Sequence, residues 1–190
     1  MVDIFDEEFE DELKRVIGDN AKADMIISAT IKVISEKREE NPAYYEKLSK
    51  EIQEILDLYK MGRLTDIEKL KYAKDIRSML IKKNDKDIDK YPERIKNNIV
   101  GKAFYDNLQN EMGFLSNEIF IDTILKIDNI FREVSKKPDW ENNSDIKNRI
   151  EQEIDDTLWE LEEEYNIEFN NYNEIISKIR AIGINNYARL

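Results

Sequence analysis

The chain contains neither cysteine nor histidine. The first absence removes disulfides, thiolate metal sites and cysteine nucleophiles. The second removes the Ser-His-Asp triad, imidazole-ligated zinc and the side chain most often used for proton transfer near neutral pH. Glycine and proline are also scarce, five and three in 190 residues. Long Glu-, Lys-, Ile- and Asn-rich runs separate them, so the chain reads as nearly all helix. No apolar run reaches the roughly 20 residues a bilayer-crossing helix needs, and Met1-Val2-Asp3-Ile4-Phe5 followed by acids is not a secretory leader. The expected location is the cytoplasm.

What the chain does have is helical periodicity. Phe120, Ile124, Ile127, Phe131 and Val134 recur at steps of four and three, as do Ile146, Ile150, Ile154, Leu158 and Leu161. Between them lies Lys137-Pro138-Asp139-Trp140-Glu141-Asn142-Asn143. Pro138 cannot donate to a helix ladder, and the Asn142-Asn143-Ser144 run offers side-chain oxygens to start a new helix. This predicts a helix, a tight corner carrying Trp140, and a second helix.

Further helices follow from the same reasoning. Phe5, Phe9, Leu13 and Val16 mark one within residues 3–17, ended by Gly18-Asp19-Asn20. The next is apolar on more than one side over residues 25–34, which calls for a central position or a cover from elsewhere. Asn41-Pro42 is a start signal for a helix facing inward through Leu48, Ile52, Ile55 and Tyr59 and stopping near Gly62. Thr65 and Glu68 have capping-box spacing before Leu70, Ala73, Ile76 and Leu80. Residues 83–93 read as a long polar loop. Helix resumes from about Ile95 to Met112, with Gly101 an irregularity, and Gly113 closes it. A last helix carries Tyr172, Ile175, Ile176, Ile179 and Ile182. The expected fold is all-α: a single domain, an irregular bundle of about seven helices, with the 25–34, 48–59, 120–134 and 146–161 faces sharing a core. At 190 residues such a chain buries about 70% of its unfolded surface without covalent staples.

Candidate chemistry is thin. Asp155-Asp156 and Glu162-Glu163-Glu164 offer oxygen ligands for magnesium or a di-metal centre. Adjacent helical residues point about 100° apart, however, and the bundle di-metal signature requires a histidine. A solvated acidic face is the simpler reading. Charge is uneven: residues 63–102 hold twelve Lys/Arg against seven Asp/Glu, a net of +5, so the remainder carries −17 of the total −12. An acidic body is unsuited to wrapping nucleic acid, while the 63–102 stretch offers a minor DNA contact or an ordinary solvated surface.

Several runs resemble a known family. Lys126-Ile127-Asp128-Asn129-Ile130, Asp139-Trp140, Asn142-Asn143, Asp145-Ile146-Lys147-Asn148 and Glu153-Ile154-Asp155-Asp156 closely resemble the C-terminal helical region of the motor/endonuclease subunit of type I restriction-modification enzymes. A second match runs from Asn41-Pro42-Ala43-Tyr44-Tyr45 through Ser49, followed by the Ile52, Ile55, Tyr59 helix. Together with the helices between them, the matches cover most of the chain from about residue 25. The pattern departs at Thr157-Leu158-Trp159, where a tyrosine is expected in place of one of the three.

The resemblance implies a non-catalytic segment of a chain several times longer. The family's endonuclease domain uses Pro-Asp followed by Glu-x-Lys to hold magnesium. Here no Glu-x-Lys follows Pro138-Asp139, and Glu12-Leu13-Lys14 precedes it. A Gly-x-x-x-x-Gly-Lys-Ser/Thr phosphate loop is also missing from the sequence. The whole subunit is expected to be a site-specific deoxyribonuclease with ATPase activity, with ATP and magnesium belonging to its motor and nuclease domains. The helical region is expected to dock that subunit onto the methyltransferase and specificity subunits. Trp140, Tyr44 and Tyr45 are the candidate docking residues, since aromatics dominate binding hot spots. Against this, the favoured reading of Trp140 is a plug for the helix corner with its indole N–H on a carbonyl, and one of Tyr44 and Tyr45 should face inward beside Leu48. The alternative function is a free-standing helical adaptor or regulator that self-associates through residues 25–34.

Overall fold

The computed structural model describes residues 3–83 and 91–189. Every regular element among them is helical: α1 (Glu7–Arg15), α2 (Asp19–Lys37), α3 (Pro42–Lys60), α4 (Asp66–Lys83), α5 (Ile99–Met112), α6 (Asn117–Val134), α7 (Ser144–Tyr165) and α8 (Tyr172–Tyr187), with a 3-10 turn at Trp140–Asn142. The fold is thus all-α, with eight α-helices among the described residues where about seven were expected. They divide between two compact units, residues 1–38 with 43–89, and residues 39–42 with 90–190. The four faces expected to share a core fall two and two: 25–34 and 48–59 in the first unit, 120–134 and 146–161 in the second.

In the first unit, α2 runs through the middle and α4 packs closely along it. This is why residues 25–34 are apolar on more than one side: Ile26, Ile27, Thr30, Val33 and Ile34 are all buried. Phe9 and Leu13 from α1, Leu48 and Ile52 from α3, and Ala73, Ile76 and Leu80 from α4 complete the core. The capping box forms as the spacing predicts, Thr65 N–H donating to Glu68 Oε2 at 2.8 Å and Glu68 N–H to Thr65 Oγ at 3.3 Å.

Two cations lie inside this unit. The Lys69 ammonium donates to Asn20 Oδ1 and Asp24 Oδ1, each at 2.6 Å, and stands 4.1 Å above the Tyr59 ring. Arg77 donates to the Ile4 carbonyl at 3.0 and 3.2 Å, pairs with Glu10 and lies over the Phe9 ring. A buried charge is tolerated only when paired and hydrogen-bonded, and these partners fix α4 against α2 and the N-terminal segment.

The second unit is organised on α6, which packs against α5, α7 and α8. Phe120, Ile124, Ile127, Phe131 and Val134 are all buried, as the stripe requires, and Ile150, Ile154, Leu158 and Leu161 meet them from α7. Ser116 Oγ accepts from Ile119 N–H to start α6, and Asn143 Oδ1 accepts from Asp145 and Ile146 N–H to start α7.

The helix expected from about Ile95 begins instead at Ile99. Residues 93–97 form turns, and Asn98 is the cap, its Oδ1 accepting Gly101 N–H at 2.8 Å. A Cβ at residue 101 would stand 2.9 Å from the Asn98 side chain, which accounts for the glycine. Of the 83–93 stretch read as a loop, residues 84–90 lie outside the described residues.

Gly183 is the closest approach in this unit, since a Cβ there would overlap the Phe131 ring. Phe131 cannot retreat, because it also contacts Phe104 and stacks on Tyr187 with centroids 6.1 Å apart. Gly183→Ala is therefore expected to destabilise the protein by about 1–3 kcal/mol through overpacking, despite alanine's better helix propensity. Urea unfolding of the variant beside wild type measures this, and an unchanged midpoint would mean that α8 moves away freely.

Candidate docking surface

Of the residues carrying the family resemblance some are held inside the fold, while Lys126, Asn129, Asp139, Asn142, Asp145, Asn148, Asp155 and Asp156 are exposed. Asp128, within the Lys126–Ile130 run, is 1% exposed. Its carboxylate accepts from Asn98 Nδ2 at 2.8 Å, Arg132 at 2.7 Å and the Tyr187 hydroxyl at 2.7 Å. One acid thereby gathers the cap of α5, its own helix and the end of α8. The Tyr187 hydroxyl is pushed up to about 12, first by burial and next by its bond to Asp128. Asn41, which opens the other matching run, is also buried, donating to Asp106 at 2.8 Å and accepting from Asn107 at 2.7 Å.

The candidate docking residues fare differently from one another. Trp140 is 4% exposed, on a 3-10 turn that follows the left-handed Asp139 and sits against α7. Its ring is packed at the corner, as the plug reading requires, and presents almost no surface to solvent. The expected carbonyl is not found: among the described residues none accepts its indole N–H. Tyr45 is buried beside Leu48 in the first unit, while Tyr44 is half-buried, its ring edge-on to Tyr45 and its hydroxyl donating to the Met79 carbonyl at 3.0 Å.

The exposed tryptophan is Trp159, at 58%. It lies one position beyond Leu158 in the buried stripe of α7, and so about 100° around the helix from it. That offset was readable from the sequence, but a tryptophan beside the core stripe invites assignment to the core. Phe114 and Tyr165 are the other large exposed aromatics of this unit, with Phe114 resting against Phe169.

Away from Trp159, on the other side of α7, a shallow groove of about 230 Å³ runs between α6 and α7, lined by Asp122, Thr123, Lys126, Glu160, Glu164 and Tyr165 among others. Lys126 and Glu160 pair across it. Burial, then a hydrogen bond to Glu164 and the charges of Asp122 and Glu118, raises the Tyr165 hydroxyl above its ordinary value. The surface is polar with an aromatic edge, suited to non-covalent contact with another macromolecule.

Clustered acids do not assemble into a metal centre: among the described residues no three acidic side chains converge. Glu162 accepts the Phe169 N–H instead. The basic 63–102 stretch also changes character, because Lys69, Arg77 and Lys102 are buried. Lys102 lies near the Tyr91 ring, its ammonium held below the ordinary lysine value by burial. Arg94 is occupied by Asp122 at 2.5 Å. Three of the cations in that stretch are thus turned away from solvent and a fourth is paired. No helix among the described residues is long and apolar enough to cross a membrane.

Two outcomes follow. Trp140→Ala should cost about 3–5 kcal/mol of stability, while Trp159→Ala should stay within about 0.5 kcal/mol, both read by thermal or urea unfolding. Equal losses would mean that Trp159 is part of the packing. For Tyr187, the folded state retains a proton that the unfolded chain releases near the ordinary value of 10, so stability should fall as pH rises from 10 to about 12. Tyr187→Phe should remove that part of the alkaline slope, measured as urea midpoints across the same window.

No protein-family model matches the chain, and neither a curated protein nor a solved structure matches it.

Proposed function

We propose that this chain is the C-terminal helical region of the motor/endonuclease subunit of a type I restriction enzyme, serving to dock that subunit onto the methyltransferase and specificity subunits. The observation that carries this reading is the layout of the resembling run Ile124 to Leu161. It forms α6, the Trp140 corner and α7 as one helix–corner–helix element, with Trp140 buried at its corner and Asp128 tying α6 to the α5 cap and to α8. Residues that specify a frame are what a shared fold would retain. The contact is assigned to the outward face of α7, with Trp159 as anchor. A large exposed tryptophan bordered by Asp155, Asp156 and Glu163 on its own helix face has the form of a binding hot spot.

On this reading the segment itself performs no catalysis. Cleavage of DNA and use of ATP and magnesium belong to the remainder of the subunit. The alternative of self-association through residues 25–34 has little surface left to use, because α2 is already covered within the first unit and only Ile31 of its large apolar residues is well exposed.

The test is a pull-down followed by calorimetry between this chain and the methyltransferase and specificity subunits of the same system, with and without DNA. Saturable, DNA-tolerant binding is expected, weakened by Trp159→Ala by about 2 kcal/mol, or thirtyfold, with no change in melting temperature. Absence of binding to either subunit would sink the proposal.

A further inference from the structure

We infer that the groove between α3 and α4 receives a basic amphipathic helix from a partner protein. This inference does not depend on the restriction-enzyme reading, because it rests on the first unit alone.

α3 and α4 each present residues at positions 0, 3, 4 and 7 to a common groove of about 280 Å³: Glu51, Glu54, Ile55 and Leu58 from one, Tyr72, Asp75, Ile76 and Met79 from the other. That spacing keeps one face of a helix in line over two turns, so the groove is about 10 Å long, matching two turns of a helical ligand. The middle is apolar, formed by Ile55, Leu58, Ile76 and Met79. Tyr72 and Met79 are exposed within it although each belongs to a face that is otherwise closed. Methionine adapts its shape to a ligand at little cost. The hydrogen bond from the Tyr44 hydroxyl to the Met79 carbonyl ties the two helices together at the Met79 end, so the groove is fixed before anything enters it.

Charge decides the occupant. Glu51 and Glu54 edge one side and Asp75 the other, and no lysine or arginine lines the groove. Among the described residues Glu54 and Asp75 have no ion-pair partner, and Glu51 has only Lys47 at 3.9 Å. An apolar floor between uncompensated acids is complementary to a helix with an apolar stripe flanked by lysine or arginine. Phosphate-bearing ligands, whether nucleic acid or anionic lipid, meet like charge at this rim. A second copy of the chain, itself at −12, would bring acid against acid.

The test uses fluorescence anisotropy of the full chain with a labelled helical peptide of about 15 residues, bearing Leu along one face and Lys on its flanks. Two control peptides carry Glu in place of Lys, or the same composition with the Leu residues scattered. The Leu/Lys peptide should bind saturably at one to one, and the controls should bind at least about tenfold more weakly. Glu54→Lys with Asp75→Lys should weaken the Leu/Lys peptide about tenfold or more and strengthen the Leu/Glu peptide. Glu7→Lys with Glu8→Lys makes the same change in net charge on α1, none of whose residues lines the groove, and should move neither by more than about twofold. Circular dichroism and melting temperature verify that each variant is folded.

Equal binding of the scattered peptide would reduce the interaction to net charge and overturn the inference. So would an affinity untouched by the groove reversal, or a dimer in sedimentation that the reversal abolishes, which would make the occupant a second copy.

Discussion

A carboxylate removed from water needs compensation from every side, and the second unit is arranged to supply it to Asp128. Asn98, Arg132 and Tyr187 come from three different places in the sequence to meet one acid. Each also has a second duty. The Asn98 amide uses its nitrogen on Asp128 and its oxygen to cap α5, so the acid fixes where that helix begins. Tyr187 presses its ring on Phe131, which in turn leaves room on α8 only for glycine at position 183. Removing one partner from such a set costs more than a surface contact would, because the remaining charge stays buried.

How much of this was legible depends on the range of the determining interaction. Stripes set by the helix period were readable: every residue of the Phe120 to Val134 series is buried, and the Thr65/Glu68 box and the Ser116 cap form between neighbours in sequence. The start of α5 was not, since Asn98 is recruited by an acid 30 residues away. Nor were Lys69 and Arg77, whose charge assigns them to the surface until Asn20, Asp24, Glu10 and the Ile4 carbonyl are seen beside them. The division into two compact units left no mark in composition, because Glu39–Pro42 joins the later unit without any glycine-rich or low-complexity linker.

The candidate site was half legible for a related reason. Aromatics at a helix corner and aromatics on a helix flank both look like anchors in a sequence. Corners, however, must be closed by something bulky, and Trp140 meets that need, whereas the period of α7 leaves Trp159 outside. Large side chains left exposed in this molecule include Trp159 on the outer face of α7 and Tyr72 and Met79 along the α3–α4 groove.

The unequal burial of the two tryptophans has an optical consequence. An indole shut away from water emits at shorter wavelength than one facing solvent, and this chain holds one of each, only nineteen positions apart, with no third to confuse them. The blue component therefore reports the integrity of the α6–α7 corner, and the red component reports whatever covers the outer face of α7. The protein carries separate intrinsic gauges of its folding and of its occupancy, without any label attached.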